Sequence, residues 1–302
     1  MEKSFLSEVF LPLSLFIIML GMGLSLVPSD FRRVLVYPKA VLIGMLNQMV
    51  LLPLIGFGLA IAFNLPAALA VGLVLLAVCP GGVTSNLFSH LSKGDTALSI
   101  TLTAISSIMT IFTIPLVMNF ALDYFQLVEG GKVIEMDIPK TLLQLVVITI
   151  VPVSLGMVIR NYKAEFALKM EKPVKILSAA FLALIVIGLL VKERENVLGF
   201  FQQVGLSALI LNAGTMFLGF AIAFLFKLSR KQSVTISIET GIQNGTMAIV
   251  IATSILNSSE MAITPAVYSL IMFATGAVAV FLFNKGRNTD DVVAEEKSEA
   301  VL

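Results

Sequence analysis

Runs of about twenty apolar residues, separated by short polar or charged turns, recur along the chain at positions 7–26, 38–63, 66–91, 96–122, 138–160, 173–191, 201–226, 231–256 and 262–283. A helix rising 1.5 Å per residue needs about that many residues to cross a hydrocarbon layer of roughly 30 Å. The pattern therefore predicts an all-α polytopic membrane protein in which nine transmembrane helices form a single unit over 1–284. The tail at 285–302, rich in Asp, Glu and Ala, has little to bury and is expected to be a disordered cytoplasmic end. The first apolar run carries Glu2 and Glu8 beside Lys3 and is long enough to span, so it reads as a helix of the mature chain rather than a cleaved leader.

Two of the nine runs are interrupted at their centres. In 66–91 the sequence Cys79-Pro80-Gly81-Gly82-Val83-Thr84-Ser85-Asn86 breaks the apolar pattern, and in 231–256 the sequence Glu239-Thr240-Gly241-Ile242-Gln243-Asn244-Gly245 does so. Proline removes a backbone donor and glycine destabilises a helix by about 1 kcal/mol, so each run is expected to be two half-helices joined by unwound backbone. Unwound backbone survives at membrane depth only where protein or a watery cavity satisfies its polar groups. Runs one to four correspond in order to runs six to nine, with the broken run third in each set, which is the pattern of inverted repeats in a secondary transporter. Small residues can instead serve close helix packing. The polar side chains that follow each break at once, Thr84-Ser85-Asn86 and Gln243-Asn244-Gly245-Thr246, favour a site.

Composition sharpens this outline. Hydrophobic residues make up 58% of the chain and charged residues 13%, against about half and a quarter in soluble domains, and the mean hydropathy is +0.99. Of the 20 Lys and Arg residues, all but Lys3, Lys132, Lys140, Lys192 and Arg194 fall on one side of a nine-span arrangement. The positive-inside rule then places the N-terminus outside and the C-terminus in the cytoplasm, in a multi-pass protein of the plasma (inner) membrane. No basic patch points to nucleic acid, and a monomeric unit in a lipid bilayer is expected. Cys79 is the single cysteine, so neither a disulfide framework nor a cysteine metal cluster is available. His90, the single histidine, lies at a membrane edge away from the polar cluster, which leaves an intramembrane hydrolase without a base. No Gly-x-x-x-x-Gly-Lys-Ser/Thr motif occurs, which argues against an ATP-driven pump. An enzyme is not expected.

Glu239 is the one carboxylate in the middle of a span. Placing it there costs roughly 2.5–3.5 kcal/mol on insertion scales, so it marks a functional site. Polar residues of other spans fall at matching depth: Gln48 beside Asn47, then Ser85 and Asn86, then the helical stripe Ser99, Thr103, Ser106 and Thr110. Neutral oxygens around one carboxylate suit a hard monovalent cation, with Na+ the natural choice. The half-helices starting near Val83 and Asn244 present unpaired backbone N–H groups that suit an anionic group of a substrate. Two other readings stand beside this one: Ser and Thr in membrane helices often bond their own backbone, and Glu239 could carry a proton in place of sodium.

The two long motifs, together with Gly21-Met22-Gly23-Leu24 and Pro28-Ser29-Asp30-Phe31, resemble the bile acid:sodium symporter family, and its bacterial members in particular, over nearly the whole chain to about Asn284. The resemblance implies sodium-coupled symport of an organic anion, bile-acid-like, steroid or a small carboxylate, by alternating access. It implies two sodium sites, one from Ser85, Asn86, Ser99, Thr103 and Glu239, the other from Gln48, Glu239, Gln243 and the carbonyls of Thr240 and Ile242. Val83, Thr84, Asn244 and Gly245 then line the substrate end. It further implies a core of the spans at 38–63, 66–91, 96–122, 201–226, 231–256 and 262–283 moving against a panel of those at 7–26, 138–160 and 173–191. Many bacterial members have ten helices, and the resemblance implies that this chain corresponds to the last nine, as in animal members. Its last span reads Ile271-Met272-Phe273-Ala274 where some bacterial relatives place polar side chains, so Phe273 is expected to give the cavity a more apolar wall.

Overall fold

The computed structural model describes residues 10–129, 132–192 and 197–285, and the expected tail from 286 onward lies outside them, as do residues 7–9 of the first run. Among the described residues the regular structure is helical, apart from a two-stranded antiparallel ribbon in which β1 (Val128–Glu129) pairs with β2 (Lys132–Val133). Helix α1 (Leu11–Ser25) is followed, across a 64° bend, by the short α2 (Pro28–Val36). Pro28 starts α2, and the Asp30 carboxylate accepts the Val27 N–H at 2.8 Å, closing its first turn. Next come α3 (Pro38–Leu46) and α4 (Leu52–Ala62), which run as one helix, then α5 (Ala67–Val78), α6 (Val83–Leu91) and α7 (Thr96–Tyr124). The continuous pair α8 (Ile138–Leu145) and α9 (Val151–Tyr162) precedes α10 (Ala164–Lys192) and α11 (Val197–Leu225). Then follow α12 (Arg230–Gly241), α13 (Gly245–Val250) and α14 (Ile263–Lys285).

Among the described residues, six helices are long and apolar enough to cross a membrane, and up to eight spans result if each bent pair counts as one. The expected span over 231–256 is the pair α12 and α13, whose first half is polar. The sixth run starts earlier than its apolar pattern indicates: α10 begins at Ala164 and carries Pro173 inside it.

Within otherwise α-helical runs, π-helix lies at Asn47–Leu51, Val146–Ile150 and Ile251–Ile255. The first two lead into Pro53 and Pro152, each at the start of the next helical segment. A proline has no N–H and collides with the carbonyl four residues back, so the wider turn lets the helix continue. Leu52 N–H accordingly reaches the Asn47 carbonyl, and Val151 N–H the Val146 carbonyl, five residues earlier.

Helix α1 packs on α9 and α10, while α11 packs on α12, α14 and α4, and α5 is held between α4, α14 and α7. Helix α5 is buried on all sides, every residue from Ala68 to Val78 being inside. The α1–α9 contact is backbone on backbone. A Cβ added at Gly156 would sit 2.7 Å from Gly23 C and Leu24 N, and one added at Gly23 would meet the Val153 carbonyl. Gly156→Ala is therefore expected to destabilise the protein by about 2 kcal/mol. Gly58→Ala, at an exposed helical position with open space beside it, gains helix propensity and is expected to be neutral or mildly stabilising. Melting curves of the two variants in detergent check this, and equal midpoints would show that α1 and α9 are not in such close contact.

Candidate functional site

The two breaks meet. Helix α5 ends at Val78, residues 79–82 run as unwound backbone, and α6 leaves at 65°. Helix α12 ends at Gly241, and α13 restarts at Gly245 with the Asn244 side chain accepting the Met247 N–H at 3.0 Å. The Asn244 N–H donates to the Pro80 carbonyl at 2.9 Å, so each unwound segment satisfies part of the other's backbone. The site is thus a crossing of two half-helix pairs, made of residues about 160 positions apart in sequence.

Glu239, 3% exposed, sits on the last turn of α12 and faces α6 and α7. Ser99 hydroxyl donates to its Oε1, and Thr103 hydroxyl lies 2.9 Å from its Oε2. The same two hydroxyls also lie 2.8 and 3.2 Å from Asn86 Oδ1. Ser85 Oγ donates to the Gly82 carbonyl at 2.8 Å and stands 3.4 Å from Thr103 Oγ1. Ser99 and Thr103 each have one hydroxyl hydrogen but two acceptor oxygens within reach, so the cluster holds more acceptors than protons to bridge them. An oxygen cluster of this composition has the chemistry to hold a hard cation. Gly81 closes this group: a Cβ there would be 2.6 Å from Glu239 Oε2.

A second group lies on the other side of the Glu239 backbone. Gln48 Nε2 donates to Gln243 Oε1 at 2.6 Å and to the Cys79 carbonyl at 3.1 Å. Gln243 Nε2 donates to the carbonyls of Glu239 and Thr240 at 3.0 and 2.8 Å, and reaches Gln48 Oε1 at 3.3 Å. Here the Gln243 amide group, turned toward the carbonyls, gathers the oxygens. Ile242, whose carbonyl is also expected in this group, is buried in the unwound stretch next to Gln243. Gln48 reaches the crossing from the π-helical turn of the second run.

Of the polar side chains expected near Glu239, Gln48, Ser85, Asn86, Ser99, Thr103 and Gln243 lie at the crossing, and Asn47, Ser106 and Thr110 do not bond there. Ser106 donates to the Thr103 carbonyl at 3.1 Å and Thr110 to the Ser107 carbonyl at 3.2 Å, so the lower half of that stripe bonds its own helix. Asn47 likewise donates to the Ile43 carbonyl at 2.8 Å. Val83 and Asn244 are buried beside the breaks, and Thr84 is half-buried. Asn244 Nδ2 is buried with no partner, a donor without an acceptor at the start of a half-helix. Gly245 permits a close approach to Ser269 of α14. Phe273 lies farther along, its ring 6.1 Å from that of Phe88 on α6. Asn212, Tyr268 and Thr275 were not singled out by spacing, yet they surround the end of α12. An amide at the centre of the seventh apolar run was their one visible sign.

Interrupted helices crossing at a buried polar centre are the architecture of secondary membrane transporters. Residues 12–200 match the Sodium Bile acid symporter family, and the chain belongs to that family. It is 33% identical over 281 residues to the sodium-dependent transporter YocS of Bacillus subtilis, covering 91% of this chain and 83% of that protein. A probable sodium/metabolite cotransporter, BASS2, chloroplastic, of Oryza sativa is 28% identical over 91% of this chain and 64% of its own length. The human P3 protein is 33% identical over 70% of this chain, which spans 44% of that protein.

Proposed function

We propose that this protein is a sodium-coupled symporter of an organic anion, working by alternating access in the plasma membrane with its N-terminus outside and its C-terminus in the cytoplasm. The observation that carries the reading is the oxygen-rich cluster of Glu239, Asn86, Ser99 and Thr103, in which acceptor contacts outnumber available protons. One sodium ion there takes Glu239, Asn86, Ser99, Thr103 and Ser85 as ligands. A second takes Gln48, Gln243 and the carbonyls of Thr240 and Ile242, after the Gln243 amide turns its oxygen inward. Glu239 serves both and offsets the positive charge. The substrate anion meets the Asn244 amide and the N-termini of α6 and α13, with Val83, Thr84 and Gly245 beside it.

A nine-span arrangement, in which α12 and α13 together count as one further span, fits this function. Helices α1, α8–α9 and α10 form a panel, consistent with the packing of α1 on α9 and α10, and the remaining spans form the core that holds the crossing. Relative movement of the two exposes the site to one side at a time. The sodium dependence in the names of the bacterial and plastid relatives supports ion coupling. The carboxylate class of substrate rests on the unpaired donor at Asn244.

The test is uptake into proteoliposomes. An inward sodium gradient is expected to accelerate accumulation of at least one anion from a panel of bile acids, keto acids and small carboxylates, while a proton gradient alone does not. Acceleration by protons with no sodium effect would assign Glu239 to proton coupling instead.

A further inference from the structure

The break in the second half-helix pair is held from outside as well as from within the crossing. Helix α12 ends at Gly241, and the carbonyls of its last turn need partners from beyond the helix. The Ile238 carbonyl accepts the Ile242 N–H at 2.8 Å, and those of Glu239 and Thr240 face the Gln243 amide. The Gly241 carbonyl points the other way. It accepts Asn212 Nδ2 from α11 at 2.7 Å and Tyr268 hydroxyl from α14 at 2.8 Å. Thr275, one to two turns beyond Tyr268, places its hydroxyl 2.5 Å from Asn212 Oδ1. Donation to that oxygen turns the nitrogen end of the Asn212 amide toward Gly241. Asn212 and Tyr268 are fully buried. Gly241 lets α12 approach close enough for this, since a Cβ there would run into Met216 of α11.

The first break is held from within the crossing. Its Cys79 carbonyl is taken by Gln48 and its Pro80 carbonyl by Asn244, both members of the crossing itself. We infer that Asn212, Tyr268 and Thr275 form a clamp on the Gly241 carbonyl that sets the direction of the neighbouring Thr240 and Ile242 carbonyls, and so act as positioning residues for sodium at the second site. The inference rests on the sodium reading above. A peptide unit cannot turn without its neighbours: with Gly241 fixed toward α11 and α14, the Thr240 carbonyl before it faces the Gln243 amide, and the Ile242 peptide after it continues the unwound segment from a fixed point. Releasing the clamp lets the unwound segment sample orientations that do not bind the ion.

The experiment is a sodium titration of thermal stability on the purified full chain in detergent, with choline replacing sodium at constant ionic strength. Tyr268→Phe, Asn212→Ala and Thr275→Val are each expected to raise the sodium concentration at half-maximal stabilisation by roughly three- to tenfold, the factor that loss of one hydrogen bond carries. Thr275→Ser, which keeps the hydroxyl, is expected to match the parent. Ser237→Ala removes a different α12–α11 hydrogen bond, to the Met216 carbonyl, and serves as the structural control with no shift expected. The clamp is overturned if sodium stabilises the parent and the clamp variants at the same half-maximal concentration, or if Ser237→Ala shifts it as much. A parent that sodium does not stabilise at all overturns the sodium reading itself. Tyr268→Phe, which removes one oxygen atom only, keeps the test open should Asn212→Ala fail to fold.

Discussion

Glu239→Gln is expected to abolish sodium-stimulated uptake and, at the same time, to raise the melting temperature measured without sodium. Both follow from one charge. In the absence of a cation the carboxylate is buried among hydroxyl and amide oxygens, with Ser99 and Thr103 as its hydrogen-bonding partners. A charged carboxylate at such depth costs roughly 2.5–3.5 kcal/mol, which the neutral amide does not incur. With sodium present the sign reverses, because the ion loses the one full negative charge near it. Removing one partner of a buried charge pair costs about 3–5 kcal/mol, so sodium affinity should drop by roughly a hundredfold or more. The check is a pair of melting curves, with and without sodium, on parent and variant. Glu260→Gln, on the link between α13 and α14, is the control that should leave both quantities unchanged. A variant still stabilised by sodium to the parent's extent would remove Glu239 from the ion sites.

Two adjacent glycines should behave in opposite ways. At Gly81 a methyl group would lie 2.6 Å from Glu239 Oε2, 3.0 Å from Ser85 Oγ and 3.3 Å from Thr103 Oγ1, inside the oxygen cluster. At Gly82 the nearest atoms belong to Asn244 and stand 3.8 Å or more away, an ordinary contact. Gly81→Ala is therefore expected to displace the carboxylate or its hydroxyl partners and raise the half-maximal sodium concentration by about tenfold or more, the displacement costing roughly 1–3 kcal/mol. Gly82→Ala should leave sodium binding within about twofold of the parent, since ordinary contacts carry no such penalty. Its methyl group faces the asparagine with the unpaired donor, so any effect falls on substrate affinity. Equal sodium midpoints for the two variants would mean that the ion does not sit beside Gly81.

Much of this site was legible in the chain because the membrane makes polarity conspicuous. Glu239, Gln48, Asn86 and Gln243 stand out against apolar spans for the same reason that they are costly there, and proline and glycine mark the breaks through backbone chemistry that no neighbour can alter. Ser99 and Thr103 were harder to separate from Ser106 and Thr110, since all four share a helical stripe. Only the position of α12 decides between them. The two that face Glu239 and Asn86 leave their own backbone, and the two beyond its reach return to it. Phe273 is a further case: its place in the last span suggests an apolar cavity wall, and its ring neighbour Phe88 on α6 is one that only helix packing supplies.

Sequence by itself determined the solvent, the span lengths, the two interruptions and the identity of the charged group, because each depends on a local property: length against bilayer thickness, a missing N–H, a missing Cβ, or one carboxylate in an apolar run. The tertiary structure decided which oxygens share a proton shortage, which carbonyls face inward and which residues hold the break from behind. Those depend on contacts such as Asn244 with Pro80 and Asn212 with Gly241, between segments that only helix packing brings within hydrogen-bonding distance. Hydrogen bonds act over about 3 Å, and no pattern along a single helix encodes which face of a distant helix will arrive there.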